Sequence, residues 1–121
     1  MKRDMNLVRS ILLTMEEHEH GRAPRPFTVE GFSEEEVGYH IHLMGQAGLL
    51  KVAGTTSMSS PSPKAIPVYI TWDGHEFLDL SREPSRWKQA VAKIKDTGGA
   101  MTISILSDVL LALAKKALAI P

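Results

Sequence analysis

The order of elements readable in the sequence predicts an α+β domain in which two helices precede a β-hairpin and further helices follow it. Three observations carry that expectation. Ser33-Glu34-Glu35-Glu36 has the form of a capping box, in which the serine accepts from the amide three residues on and Glu36 reaches back to the serine amide. Leu49–Ala53 and Val68–Trp72 read as short strands around GTTSMSSPSPKAIP, a stretch rich in Ser, Pro and Thr, which is the pattern of a hairpin with a long tip. From Thr102 onward, Ile103, Leu106, Leu110, Leu113, Ala117 and Ile120 recur at alternating spacings of three and four, a heptad-like seam.

The remaining elements follow from the same reasoning. Asp4 is placed to cap a first helix whose Met5, Val8, Leu12 and Met15 share a face widened by Leu7 and Ile11. That helix is expected to run through EEHEHG to Gly21 at its C′ position. Segment 22–32 holds two prolines and reads as a loop with a short strand at Phe27–Val29. The helix after Ser33 stops at Gly48 and turns Val37, His40, Ile41, Met44 and Ala47 inward. Glu35, Gly38, Tyr39, His42 and Gln46 fall on its outer face, where a partner would be met. Asp73 or Thr71 caps a helix carrying Phe77, Leu78 and Leu80, and Ser85 caps another with Trp87, Val91 and Ile94 that ends at Gly98-Gly99. Residues 1–99 are thus expected as one domain, with 100–121 as an apolar helix for packing or dimerisation.

Composition excludes several classes of function. The chain of 121 residues is one domain's worth, 43% apolar and 23% charged, which is too apolar for a disordered protein. It has no cysteine, so disulfide scaffolds, thiol nucleophiles and Cys-ligated zinc are absent. No signal peptide is visible, and the most apolar stretch, Ala100 to Leu113, is broken by Asp108 and followed by Lys115 and Lys116, so no membrane span is expected. A cytoplasmic protein fits these features. Fourteen basic and fourteen acidic residues give a formal net charge of zero, which removes any bulk electrostatic case for nucleic acid.

A helix ending AGLL that feeds directly into a two-stranded hairpin is the plan of a winged helix. MKRDMNLVRSILLTMEE, GYHIHLMGQAGLL and ITWDGHEFLD together resemble a family of small phage- and prophage-associated proteins catalogued as a domain of unknown function, number twenty-five thirteen. The resemblance runs from Met1 through SRWKQAVAKIKDTGG to the last helix. It implies a winged-helix-like fold and a mobile-element context, and it hands over no catalytic or binding residues. YHIHLMGQAGLL is also similar, more loosely, to the recognition helix of bacterial winged-helix regulators, and ITWDGHEFLD to the passage after their wing. One departure stands out: a helix-turn-helix has a helix before its recognition helix, and Gly21–Phe32 is too short and too rich in proline to supply a good one.

For function, the fold points to double-stranded DNA. Lys51 and Lys64 in or beside the wing and Arg22 and Arg25 in the loop would meet phosphate, while Tyr39, His42 and Gln46 would read or pack into the groove. The charge by segment is less accommodating. Residues 48–72 hold two basic and no acidic groups, whereas 21–47 hold two basic and four acidic, three of them opening the presumed reading helix. The rival reading is a protein-interaction module that uses the same frame and its acidic first turn to dock a host or phage protein.

Other chemistries are weaker. His40 and His42, two apart on a helix, point about 200° apart and cannot share an ion. His18 and His20 read as a solvated helix end, so no metal and no cofactor is expected. HEFLD lacks the second histidine of a zinc-protease helix. Glu34–Glu36 suit a capped, solvated helix start better than a catalytic pair, which requires a cleft that perturbs its pKa values. The expectation is a non-enzyme. The seam residues Ile103, Leu106, Leu110, Leu113, Ala117 and Ile120 are expected to join two copies as a homodimer.

Overall fold

A computed structural model describes residues 1–121 as five helices and one two-stranded antiparallel sheet. The elements are α1 (Met5–Glu16), α2 (Glu34–Gln46), β1 (Leu50–Gly54), β2 (Ala65–Ile70), α3 (Trp72–Ser81), α4 (Pro84–Asp96) and α5 (Ile103–Ala117). The α+β class and the order of helix, helix and hairpin followed by further helices are as the sequence predicts. The chain forms two compact units, Met1–Glu76 and Phe77–Pro121, divided inside α3.

In the first unit, the Asp4 carboxylate caps α1 by accepting from the backbone N–H of Asn6 at 2.8 Å and of Leu7 at 3.4 Å. Leu7, Ile11 and Leu12 are completely buried. The helix ends at Glu16, short of the predicted Gly21, because Glu17 through His20 are exposed and offer no face to bury. No strand forms at Phe27–Val29 and no helix lies between α1 and α2. The loop is tied down instead by Ala23, whose N–H donates to the Val68 carbonyl at 2.8 Å, and by buried Val29.

Both halves of the capping box are present on α2: Glu36 N–H donates to Ser33 Oγ at 3.1 Å, and Ser33 N–H to Glu36 Oε1 at 2.9 Å. Val37, His40, Ile41 and Met44 face inward. The helix closes with a pair of reversed bonds, Leu49 N–H to the Met44 carbonyl and Gly48 N–H to the Gly45 carbonyl, with Gly48 at φ 77°.

The hairpin pairs Leu50 with Ile70 and Gly54 with Ala65. Its tip is shorter than predicted, since Ala65, Ile66 and Pro67 belong to β2: Ala65 and Pro67 are buried, and Thr55 and Thr56 bond to Lys64 to close the turn. The register shifts between Lys51 (opposite Tyr69) and Val52 (opposite Pro67), which leaves Val68 as the extra residue of a bulge. Its carbonyl is the one that receives Ala23. Beyond β2, Thr71 Oγ1 accepts from Gly74 N–H at 3.1 Å, so Thr71 rather than Asp73 opens α3.

In the second unit, Glu83 caps α4 in place of the predicted Ser85, its two carboxylate oxygens accepting from Ser85 N–H at 3.0 Å and Arg86 N–H at 2.7 Å. Pro84 takes the first helical position, where its missing N–H costs nothing. Phe77 and Trp87 meet edge to face at 6.3 Å, and α4 packs on α5. Thr102 caps α5, which starts where the predicted seam does. That helix ends at Ala117, so the seam is cut short and Ile120 lies beyond it.

Candidate binding surfaces

The outer face of α2 is less open than its helical wheel implies. A β-carbon at Gly38 would lie 3.1 Å from that of Lys64, one at Gly45 would press on Val52, and the Ser62 hydroxyl donates to Glu35 Oε1 at 2.8 Å. The hairpin therefore lies along the line of residues 35, 38 and 45. Tyr39 and His42 remain half-buried and Gln46 exposed.

The four cations proposed for phosphate are not gathered on one surface. Arg25 and Lys64 line the same cavity. Arg22 is exposed earlier in the loop. Lys51 pairs with Tyr69, and because side chains alternate along β1 it points away from α2, toward which its neighbour Val52 points. One acidic group, Glu34, lines the cavity with that pair. At the same helix start the Ser33 backbone N–H and hydroxyl hold the Glu36 carboxyl below the usual carboxylate range.

That cavity, of about 480 Å³, lies between the 24–32 loop, the first half of α2 and the start of β2. Phe32 and Val37 take the two positions of a hydrophobic staple around the α2 cap, and both contribute to its wall. Phe27, Ile41 and Ile66 add apolar surface, and Pro24, Pro26 and Pro67 add backbone without N–H donors. Nothing in the spacing of these residues announces the cavity. The only local trace is the cluster of Pro and Phe in RAPRPF, which reads as a plain loop.

A second surface also escaped the sequence. Trp72 is 79% exposed and Tyr69 48% exposed, although both types usually bury most of their area. The Trp72 Nε1–H donates to Glu76 Oε1 at 3.1 Å.

His40 is a structural residue on the inward face of α2. It is 1% exposed, and both ring nitrogens are engaged. Nδ1 donates to the Glu36 carbonyl at 2.8 Å, and Nε2 accepts from Asp4 N–H at 2.8 Å, so the imidazole is neutral and ties the start of α1 to α2. His18, His20 and His75 are exposed, and no three His, Asp or Glu side chains are grouped to hold a metal ion. Of the seam on α5, Leu106 and Leu110 are fully buried within the chain, Ile103 and Leu113 are partly covered, and Ala117 and Ile120 are exposed. No helix is long and apolar enough to cross a membrane.

The fold defines a small α+β protein of five helices and a two-stranded antiparallel hairpin. The chain belongs to the family described as "Hypothetical protein (DUF2513)", which matches residues 2–100 and so ends before α5 begins. A protein from Haemophilus influenzae (strain Rd), described only as uncharacterized, is 35% identical over 112 residues, covering 90% of this chain and 92% of its own. No solved structure matches.

Proposed function

We propose that this protein is a non-enzymatic interaction module that docks a host or phage protein, using a winged-helix-like frame without reading DNA. The observation that carries this reading is the exposure of two large aromatic side chains three residues apart, Trp72 and Tyr69, the latter opposite Lys51 on the hairpin. Tryptophan and tyrosine supply much of the binding energy at protein interfaces. The start of α2 supports the same reading from the other side. A helix that enters the major groove brings its first turn to the bases, and here that turn holds Glu34, Glu35 and Glu36, with no helix between α1 and α2.

One observation favours the alternative of double-stranded DNA: Arg25 and Lys64, distant in sequence, come to one rim. The two readings separate in a pair of measurements. Fluorescence anisotropy of labelled duplex DNA at low and moderate salt is expected to show no saturable binding. Pull-down from a host extract is expected to retain a protein with the wild type and lose it with Trp72→Ala, whose fold is checked by circular dichroism. Tight DNA binding with a steep salt slope would overturn the interaction reading. Lys64→Ala and Lys51→Ala would then each lower that slope by about one unit.

A further inference from the structure

The cavity beside α2 plays no part in the proposed docking edge, and its chemistry is one-sided. Its volume of about 480 Å³ falls in the range of small-molecule sites. The interior is made by Phe27, Phe32, Val37, Ile41 and Ile66, and the polar side chains lie at the margin, where Arg25, Glu34 and Lys64 are all exposed. Two cations against one carboxylate leave the rim net positive.

An extended peptide is a poor occupant. Pro67 has no N–H to offer along β2, and the Val68 carbonyl is already taken by Ala23, so a strand could not add to that edge. Pro24 and Pro26 remove further donors from the opposite wall. A ligand seated here meets mostly apolar surface, with positive charge at the entrance. We infer that the cavity binds a small amphipathic monoanion, an alkyl or aryl carboxylate, with its apolar body against Phe27, Phe32 and Ile66 and its carboxylate toward Arg25 and Lys64.

Gly38 is part of this design. With no side chain at that position, α2 lets the Lys64 backbone approach, which sets the lysine at the rim. The unit holding the cavity is internally tied by Ala23 to Val68 and by Ser62 to Glu35, so the cavity exists before a ligand arrives.

The test uses the full chain with octanoate and 1-octanol as probes, followed by amide chemical shifts. Octanoate is expected to shift Thr28, Gly38 and Ile66 saturably, and to bind about three- to fivefold more tightly than the neutral alcohol, the preference that exposed cations provide. Lys64→Ala with Arg25→Ala should erase that preference while leaving octanol binding intact. Thr28→Trp, a change at an exposed lining residue that the fold tolerates, should block both probes. Equal affinity for acid and alcohol, no saturable shift at millimolar probe, or shifts confined to Leu111 in α5 and Leu118 just after it would each overturn the assignment. Neither DNA nor a protein partner enters the experiment, so its outcome is independent of the docking proposal.

Discussion

The first unit carries polar contacts that reach far along the chain, and the second carries several that stay within a turn of helix. In Met1–Glu76 the hydrogen bond from Asp4 to His40 joins residues 36 apart, that from Ser62 to Glu35 residues 27 apart, and that from Thr71 to the Gly48 carbonyl residues 23 apart. In Phe77–Pro121 bonds within a turn support the helices, among them Ser81 to Leu78, Arg82 to Asp79 and Thr97 to Lys93. Directional bonds between distant residues admit one arrangement of the elements, whereas apolar packing of one helix on another is tolerant of small slides. The second unit also leaves apolar surface uncovered, with Leu118 at 70% exposure and Ile120 at 50%. The first unit is pinned by hydrogen bonds between distant residues. In the second, α4 packs on α5, which buries Leu106 and Leu110.

That contrast is broken most severely by a charge in the second unit's interior. Leu110 is fully buried, and Leu110→Asp removes its packing and strands a carboxylate, so a loss of about 3–5 kcal/mol or outright unfolding is expected in urea titrations. Leu111→Ser with Leu118→Ser changes only exposed positions and should move stability by no more than about 0.5 kcal/mol. The same double variant tests a homodimer, since sedimentation would show its mass halved if two copies meet through this stripe. An unaltered unfolding curve for Leu110→Asp would mean that the α4–α5 contact is not what holds the unit.

His40 is the corresponding point in the first unit. His40→Leu keeps the bulk of the ring but leaves the Asp4 N–H without its acceptor, at an expected cost of about 1–3 kcal/mol. His40→Gln, whose carbonyl oxygen can take that N–H, should recover part of the loss. If leucine were tolerated as well as histidine, the long-range bond would be incidental and the comparison between the units would fail.

Smaller in effect is the end of α5. α2 and α4 both close with the same reversed pair of bonds and a glycine in the left-handed region, Gly48 at φ 77° and Gly98 at φ 69°. α5 closes identically, Ile120 N–H to the Lys115 carbonyl and Ala119 N–H to the Lys116 carbonyl, but the residue at φ 56° is an alanine. A β-carbon is disfavoured there, so Ala119→Gly should raise stability by up to about 1 kcal/mol, measured as a shift in the urea midpoint.

These particulars also show which features a sequence discloses. The cap of α2, the stop at Gly48, the start at Thr102 and the apolar faces were legible because each depends on residues within a turn or two of one another. Glu83 as the α4 cap was missed because Ser85 has the commoner capping side chain and lies only two residues away. The start of β2 was missed because Pro67 reads as tip, while its burial and the closure of the turn by Thr56 and Lys64 arise only once the hairpin folds. The cavity was illegible for a stronger reason: its walls come from three segments, and the approach of Lys64 to Gly38 is a property of their packing. Trp72 was read as the end of a strand and not as a surface, since nothing local to a tryptophan tells whether another element will cover it.

The smallest effect concerns the charge that the α2 cap retains. Hydrogen bonds from Ser33, first from its backbone N–H and then from its hydroxyl, hold the Glu36 carboxyl below its ordinary range. A depressed carboxylate contributes stability that is fully present above its unfolded value, about 4.3, and is lost as pH falls through the lower folded value. Glu36→Gln retains an oxygen that can accept from Ser33 N–H but has no proton to gain. The unfolding midpoint of the wild type should therefore fall more steeply with pH in the acid range than that of Glu36→Gln, the two curves converging as the wild-type carboxyl is protonated. Parallel curves through that range would mean that the ionised form contributes nothing beyond the neutral amide. The cap would then act through its shape alone, and the three glutamates at the head of α2 would matter only for what the helix attracts or repels.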